Sequence, residues 1–231
     1  PLTTEEFVKR HKADLQALGF DIQFLAFVIF LLDIKGGDVI KYETEDDIVV
    51  LCADKTKWLI QVKNSVDDDA KMTDADSDFW KTFDNWLTLY AISISKIDFL
   101  KDGNRFILYT NKTLSNSFYE QIKGLKQGKC GIEEVISFLQ KVKDTVSYYP
   151  IVEKMLKLGK VELRMFLLKV EVMQVPNSLG ALYEKFLNQN NRPTKAEQIV
   201  CELLGKLHTE KINAASNHNT LSYEKNAFMK E

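Results

Sequence analysis

Histidine and cysteine are scarce in this chain, three of each in 231 residues, and their placement closes off several chemistries. His11, His208 and His218 lie in helical or tail segments with no nucleophile motif beside them, which argues against a Ser-His-Asp or Cys-His centre. Cys52, Cys130 and Cys201 are widely spaced and odd in number, so neither zinc-ligand spacing nor a disulfide framework is present. A reducing cytoplasm is the compartment this usage implies. Neither sign of charge dominates: 31 Lys and Arg stand against 33 Asp and Glu, with a net charge of -2. Contact with nucleic acid must therefore come from local patches. The apolar run Phe24 to Leu32 is too short for a bilayer, which takes roughly 20 residues. The start Pro1-Leu-Thr-Thr-Glu-Glu6 lacks the basic-then-apolar pattern of a signal peptide. Its missing initiator Met points to a processed chain, trimmed numbering or an excised domain. Gly36-Gly37 follows no strand-to-helix pattern, so no phosphate loop or dinucleotide fingerprint is found. No internal repeat or low-complexity segment interrupts the chain.

What is there is enough apolar content, 45%, for one sizeable core. Thr3-Thr-Glu-Glu6 reads as a helix start, with Gly19 ending that helix and a strongly apolar helix following from about Asp21 to Leu32. Gln23 is the one uncharged polar side chain in that second helix. Val39 to Tyr42 reads as a short strand. Asp47 to Cys52 and Trp58 to Lys63 read as a β-hairpin across the turn Ala53-Asp-Lys-Thr-Lys57. The Asp67–Asp78 stretch is acidic but lacks the EF-hand spacing, and reads as a solvated loop with helix caps. The aromatics Trp80, Phe83, Trp86 and Tyr90 recur at helical spacing and read as a core face rather than a base-stacking platform. A strand at Arg105 to Thr110 and a series of helices follow, with Pro150 as a boundary. The expectation is an α/β fold, a mixed central sheet flanked by helices. Residues 1–150 would form its core and 151–231 a mainly helical extension, with a polar, poorly ordered tail from about 216.

The chemistry concentrates in the hairpin. Alternation puts Asp47, Val49 and Leu51 on one face, and Leu59, Gln61 and Lys63 on one face of the second arm. Asp47 and Gln61-Val-Lys63 can therefore meet at one end. Asp47 is a hard oxygen ligand suited to Mg²⁺ or Mn²⁺; Gln61 and the Val62 carbonyl are neutral oxygen ligands. Lys63 is a point charge for a water or a phosphate. Asp46 and Glu45 compete with Asp47 for the ligand role. Lys112, Lys123, Lys126 and Lys129 are candidate phosphate contacts. No element reads as a base-reading helix, so little sequence specificity is expected.

Asp47…Gln61-Val-Lys63 resembles the PD-(D/E)xK nuclease superfamily in its D…QxK form. The resemblance extends over Gly19-Phe-Asp-Ile-Gln23, Phe79-Trp-Lys-Thr-Phe-Asp-Asn-Trp86 and Arg105-Phe-Ile-Leu-Tyr-Thr-Asn111. These stretches are similar to the double-stranded-DNA endonuclease domain of bacterial anti-phage effectors, found in CBASS effectors and in the nuclease subunit of Lamassu-type complexes. The resemblance covers about residues 18–175. It implies a restriction-endonuclease-like fold and a Mg²⁺- or Mn²⁺-dependent nuclease completed by Gln23. It also implies control by homo-oligomerisation or by a defence-complex partner protein. A non-catalytic module that docks a partner ATPase or sensor is the alternative.

Overall fold

The computed structural model describes residues 13–65, 67, 69–142, 148–190 and 196–228. The expected helix start at Thr3–Glu6, His11, Asp68 and the expected opening of the last helix at Pro193 lie outside the described residues.

Helix α1 (Ala13–Asp33) leads into a three-strand meander, β1 (Val39–Tyr42), β2 (Ile48–Leu51) and β3 (Lys57–Lys63). After β4 (Lys71–Thr73) come α2 (Ser77–Ile92), the short α3 (Lys96–Phe99), β5 (Arg105–Thr110) and β6 (Thr113–Ser115). Helices α4 (Ser117–Lys126), α5 (Ile132–Val142), α6 (Tyr149–Leu156) and α7 (Lys160–Lys169) precede β7 (Val170–Gln174). Then α8 (Ser178–Asn190), α9 (Ala196–Ser216), β8 (Ser222–Glu224) and α10 (Lys225–Phe228) close the described chain.

Six strands form one mixed sheet in the order β7-β5-β3-β2-β1-β8. The meander and β8 pair antiparallel, while β5 and β7 are parallel to their neighbours. The fold is thus α/β, a mixed sheet with helices on both faces. Alternation assigns the faces. Val49, Leu59, Phe106 and Leu108 pack under the α2 aromatics Phe79, Phe83 and Trp86, together with Phe118 and Phe166. Ile48, Val50, Ile60, Val62, Ile107 and Tyr109 pack under α1 and under Leu182 and Phe186 of α8. Central strands buried on both faces read as continuous apolar runs, as β2 and β5 do. The stretch Phe24–Leu32 of α1 is buried around its circumference, because the sheet lies on one side of it and α8 and α9 close the other.

Three expectations differ from this arrangement. Helix α1 runs unbroken through Gly19. A glycine inside a helix costs about 1 kcal/mol relative to alanine, less than the docking of so apolar a helix returns. Up to residue 228 the tail is ordered rather than loose: β8 pairs with β1, setting Tyr223 opposite Ile40, and Leu221 is buried. Both edge strands of the sheet, β7 and β8, come from beyond residue 150, so the later residues complete the core instead of only resting on it. Among the described residues no helix is long and apolar enough to cross a membrane.

Candidate functional site

The antiparallel register sets Ile48 opposite Ile60. One residue further, at the end where β2 begins, Asp47 lies across from Gln61. Both side chains then fall on the α2 face. The Asp47 Oδ2 accepts hydrogen bonds from the Gln61 side-chain amide and, at 2.8 Å, from the Val62 N–H. In a strand the N–H and C=O of one residue point to the same side, so the Val62 carbonyl also faces the open end of β2. Gln61, only 3% exposed, directs its amide oxygen to helix α2, where Asn85 Nδ2 donates to it at 2.6 Å. A relay thus runs from Asn85 through Gln61 to Asp47.

The neighbouring acids separate cleanly. Glu45 leaves the site and pairs with Lys57 at 2.7 Å on the surface. Asp46 turns inward and is 9% exposed. One of its oxygens accepts from the Trp86 indole N–H at 2.8 Å, and the other from the Asp47 N–H at 3.0 Å. Burial pushes the Asp46 carboxyl from its ordinary value of 3.8 to about 7; the indole bond opposes that rise, and the Asp47 charge adds to it. Asp46 is therefore a floor beneath the site, and Asp47 is the carboxylate that faces it.

Lys63 ends β3 half-buried, on the same face as Gln61. Among the described residues it has no ion-pair partner, and its charge reaches Asp46 only as a small downward pull on that carboxyl's pKa. The chain beyond Lys63 is clamped to the end of β5. Asn111 accepts from the Ser65 N–H at 2.8 Å and donates to the Ser65 carbonyl at 2.7 Å, while Asn64 accepts from the Asn111 N–H at 3.1 Å. These bonds fix where Lys63 leaves the sheet.

Gln23 is brought to the same end of the sheet but not into the cluster. Helix α1 covers the face opposite Asp47 and Gln61, and Gln23 is 9% exposed there. It makes no hydrogen bond to Asp47, Gln61 or Lys63. The buried Tyr42 hydroxyl marks this end too and has no hydrogen-bond partner among the described residues. Burial, then the charges of Glu43, Asp47 and Asp21, push its pKa up.

The four lysines expected to contact phosphate do not gather at the site. Lys112 is 11% exposed and held by Asp76 at 2.9 Å and Asp78 at 2.7 Å. Burial lowers its pKa, but those carboxylates outweigh it and the net shift is upward. Its charge is spent inside the fold. Lys123 pairs with Glu120 and sits over the Tyr119 ring. Lys126 lies within reach of Glu171 and Arg105, which mark the opposite end of the sheet, with Trp58. Lys129 is exposed beyond α4. The acidic stretch behaves as caps and turns: Asp76 caps α2, Asp67 accepts from the Asp69 N–H, and Asp74 accepts from the Phe118 N–H.

A divalent cation at this end would meet a sparse set of donors. Among the described residues no three His, Cys, Asp or Glu side chains converge. What converges is one carboxylate, one side-chain amide and one main-chain carbonyl. These hard oxygen donors suit Mg²⁺ or Mn²⁺, which commonly keep several waters and take only one or two carboxylates. They fit on one condition: Gln61 must turn its oxygen, rather than its NH₂, toward Asp47. Sequence reasoning missed Asn85 and Trp86 as partners of the site; Asp84-Asn-Trp86 lies on an amphipathic helix that also carries Asp78, Lys81 and Thr88, so nothing singled the pair out.

No protein-family model and no curated protein matches this chain. Solved structures do share its fold. The Moraxella osloensis Cap4 SAVED/CARF-domain containing receptor superposes with a TM-score of 0.52 at 14% identity, over 91% of this chain and 46% of the receptor. The Acinetobacter baumannii Cap4 SAVED/CARF-domain containing receptor, solved with the cyclic trinucleotide 3'3'3'-cAAA, gives a TM-score of 0.51 at 12% identity, over 90% of this chain and 43% of the receptor. This chain therefore spans less than half the length of either receptor, and at such identities the likeness is one of fold.

Proposed function

We propose that this chain is a metal-dependent, largely sequence-non-specific double-stranded-DNA endonuclease that serves as the effector of a bacterial anti-phage system. In this reading it works in the cytoplasm and belongs to the PD-(D/E)xK superfamily, with a fold that corresponds to under half of each longer Cap4 receptor. The observation that carries the reading is the pairing of Asp47 with Gln61 beside an ammonium, Lys63, that forms no ion pair among the described residues. The order helix, three-strand meander, helix, parallel strand supports it, because it puts those groups at one open sheet end.

Asp47, Gln61 and the Val62 carbonyl would hold Mg²⁺ or Mn²⁺, which supplies polarisation of a phosphoryl oxygen and a bound water of lowered pKa. The protein's own groups do the rest. Asp47, half-buried, brings the carboxylate that faces the site. Lys63 supplies a compact positive charge that orients the attacking water or offsets charge growing on the phosphate. Hydrolysis joins the water oxygen to phosphorus and releases the bridging ester oxygen with a proton. Asn64, Ser65 and Asn111 keep the Lys63 end of the strand in place through the reaction.

One such site cuts one strand. Duplex cleavage then requires two protomers side by side, so assembly into a homo-oligomer, or onto a defence-complex partner, is the natural control. Lysines committed to internal pairs, Lys112 above all, support a weak grip on DNA by the single chain. The test is plasmid degradation with Mg²⁺ by the parent chain and by Asp47→Ala and Lys63→Ala. The proposal requires that both variants lose cleavage.

A second reading is favoured by one observation: Gln61 turns its oxygen to Asn85 and its NH₂ to Asp47. That arrangement suits a non-catalytic module on a nuclease-like fold, which would dock a partner or bind a cyclic trinucleotide as the Acinetobacter receptor does. Calorimetry with Mn²⁺ and with 3'3'3'-cAAA separates the two. Mn²⁺ binding without the trinucleotide supports the nuclease; the reverse supports the module.

A further inference from the structure

We infer that Asn85 is a positioning residue whose amide, coupled to that of Gln61, decides whether the site presents a donor or an acceptor to a cation. The inference rests on the nuclease reading and names the regulation of the same site.

The geometry is a chain of two amides. Asn85 Nδ2 donates to Gln61 Oε1 at 2.6 Å, and Gln61 Nε2 donates to Asp47 Oδ2. Oxygen and NH₂ of a side-chain amide have nearly the same shape. Turning both amides over therefore preserves the bond between them: Gln61 Nε2 then donates to Asn85 Oδ1. Nothing in the backbone has to move. What changes is the far end, where the Gln61 oxygen now faces the Asp47 carboxylate. Two acceptors face to face repel, unless a cation lies between them.

Each arrangement has its own occupant. With the NH₂ toward Asp47, the carboxylate is satisfied by the protein and by the Val62 N–H. With the oxygen toward Asp47, the pair becomes two oxygen ligands for Mg²⁺ or Mn²⁺. Gln61 is almost fully buried, so its amide takes its partners from the protein, whereas Asn85 is exposed on α2 and free to turn; the Gln61 amide follows whichever group Asn85 presents to it. A carboxylate in place of Gln61 would have no such choice to make. The glutamine thus makes cation binding conditional on a helix residue, which anything that moves α2 can influence.

The experiment is a double-mutant cycle read by Mn²⁺ calorimetry on the full chain, with Asn85→Asp, Gln61→Glu and the two combined. Aspartate at 85 can only accept, so it draws the Gln61 NH₂ toward itself and leaves the Gln61 oxygen at Asp47. Asn85→Asp is expected to tighten Mn²⁺ binding about tenfold, the worth of one hydrogen bond to a charged group. With Glu at 61 there is no amide to orient, and the gain should vanish. An equal gain in both backgrounds would mean that the added charge acts through space, and it would overturn the inference. So would Mn²⁺ binding by the parent with no gain from Asn85→Asp. Mg²⁺ should also shift the side-chain NH₂ resonances of both Gln61 and Asn85 in the unaltered protein. Resonances that stay fixed while Mg²⁺ binds would overturn the coupling. Failure of the parent and of Gln61→Glu to bind Mn²⁺ at all would instead remove the nuclease reading, and this inference with it.

Discussion

Asp46 should make this protein less stable as pH rises through neutrality. Its carboxyl is buried, and its pKa is raised from the ordinary 3.8 to about 7. Between those values the folded chain holds a proton that the unfolded chain has released. Stability is then complete below the unfolded value and is lost as pH climbs toward the folded one. Over the two units from pH 5 to pH 7 the loss is at most about 3 kcal/mol, at 1.36 kcal/mol for each unit. Asp46→Asn isolates this effect. Trp86 and the Asp47 N–H each donate to one Asp46 oxygen; when the carboxyl is protonated its hydroxyl oxygen can still accept, whereas the NH₂ of an amide cannot, so an amide serves only one of the two donors. That loss, about 1–3 kcal/mol, is independent of pH. The variant should therefore be less stable than the parent at pH 5, and the gap should narrow or reverse by pH 8. Urea unfolding of both proteins at a series of pH values measures it. Parallel curves for parent and variant from pH 5 to pH 8 would refute the reasoning, because Asp46 would then be ionised in the folded state as freely as in the unfolded one.

Two further outcomes concern the fold that holds the site. Gly103 has φ +90, and a Cβ there would come within 2.6 Å of Thr56 Cγ2. Gly103→Ala should cost about 2 kcal/mol by thermal melting, and an unchanged melting temperature would count against this close approach of Gly103 to Thr56. Ending the chain after Ser216 removes β8 and the buried Leu221, and bares the edge of β1. That truncation should lower the melting temperature and promote self-association in light scattering, since an exposed edge strand is a template for pairing. A monomer as stable as the full chain would show that β8 contributes little.

The sheet and the heart of the site could be read from the sequence because they rest on local rules. Side-chain alternation in the two hairpin arms implies that Asp47 and Gln61 meet at one end, and the aromatic spacing of α2 marks its core side. What could not be read depends on partners far apart in the chain. The glycine at 19 looked like a helix stop, and only packing of the whole apolar helix overrides it. The segment Ser222–Glu224 carries little apolar signal, and it becomes a strand because β1 offers a free edge. Lys112 looked like a free cation until folding brought Asp76 and Asp78 to it. Asn85 reaches Gln61 from a helix 24 residues on, a contact that no local pattern announces. Asp47 stands directly before the apolar run of β2, which favours it over Glu45 and Asp46 in the sequence; where the three go takes the turn's geometry, which sends Asp47 to Gln61, Glu45 to Lys57 and Asp46 to Trp86.

The central claim is that Asp47, Gln61 and Lys63 form a metal-dependent phosphodiesterase site. The most direct measurement is degradation of supercoiled plasmid in Mg²⁺ by the parent and by Lys63→Ala, with assembly state followed by sedimentation and folding by circular dichroism. The account predicts that the parent cuts, that chelation stops it, and that a folded, equally assembled Lys63→Ala loses at least about a hundredfold in rate, the scale on which one electrostatic contributor acts. Cleavage by Lys63→Ala at the parental rate would contradict it.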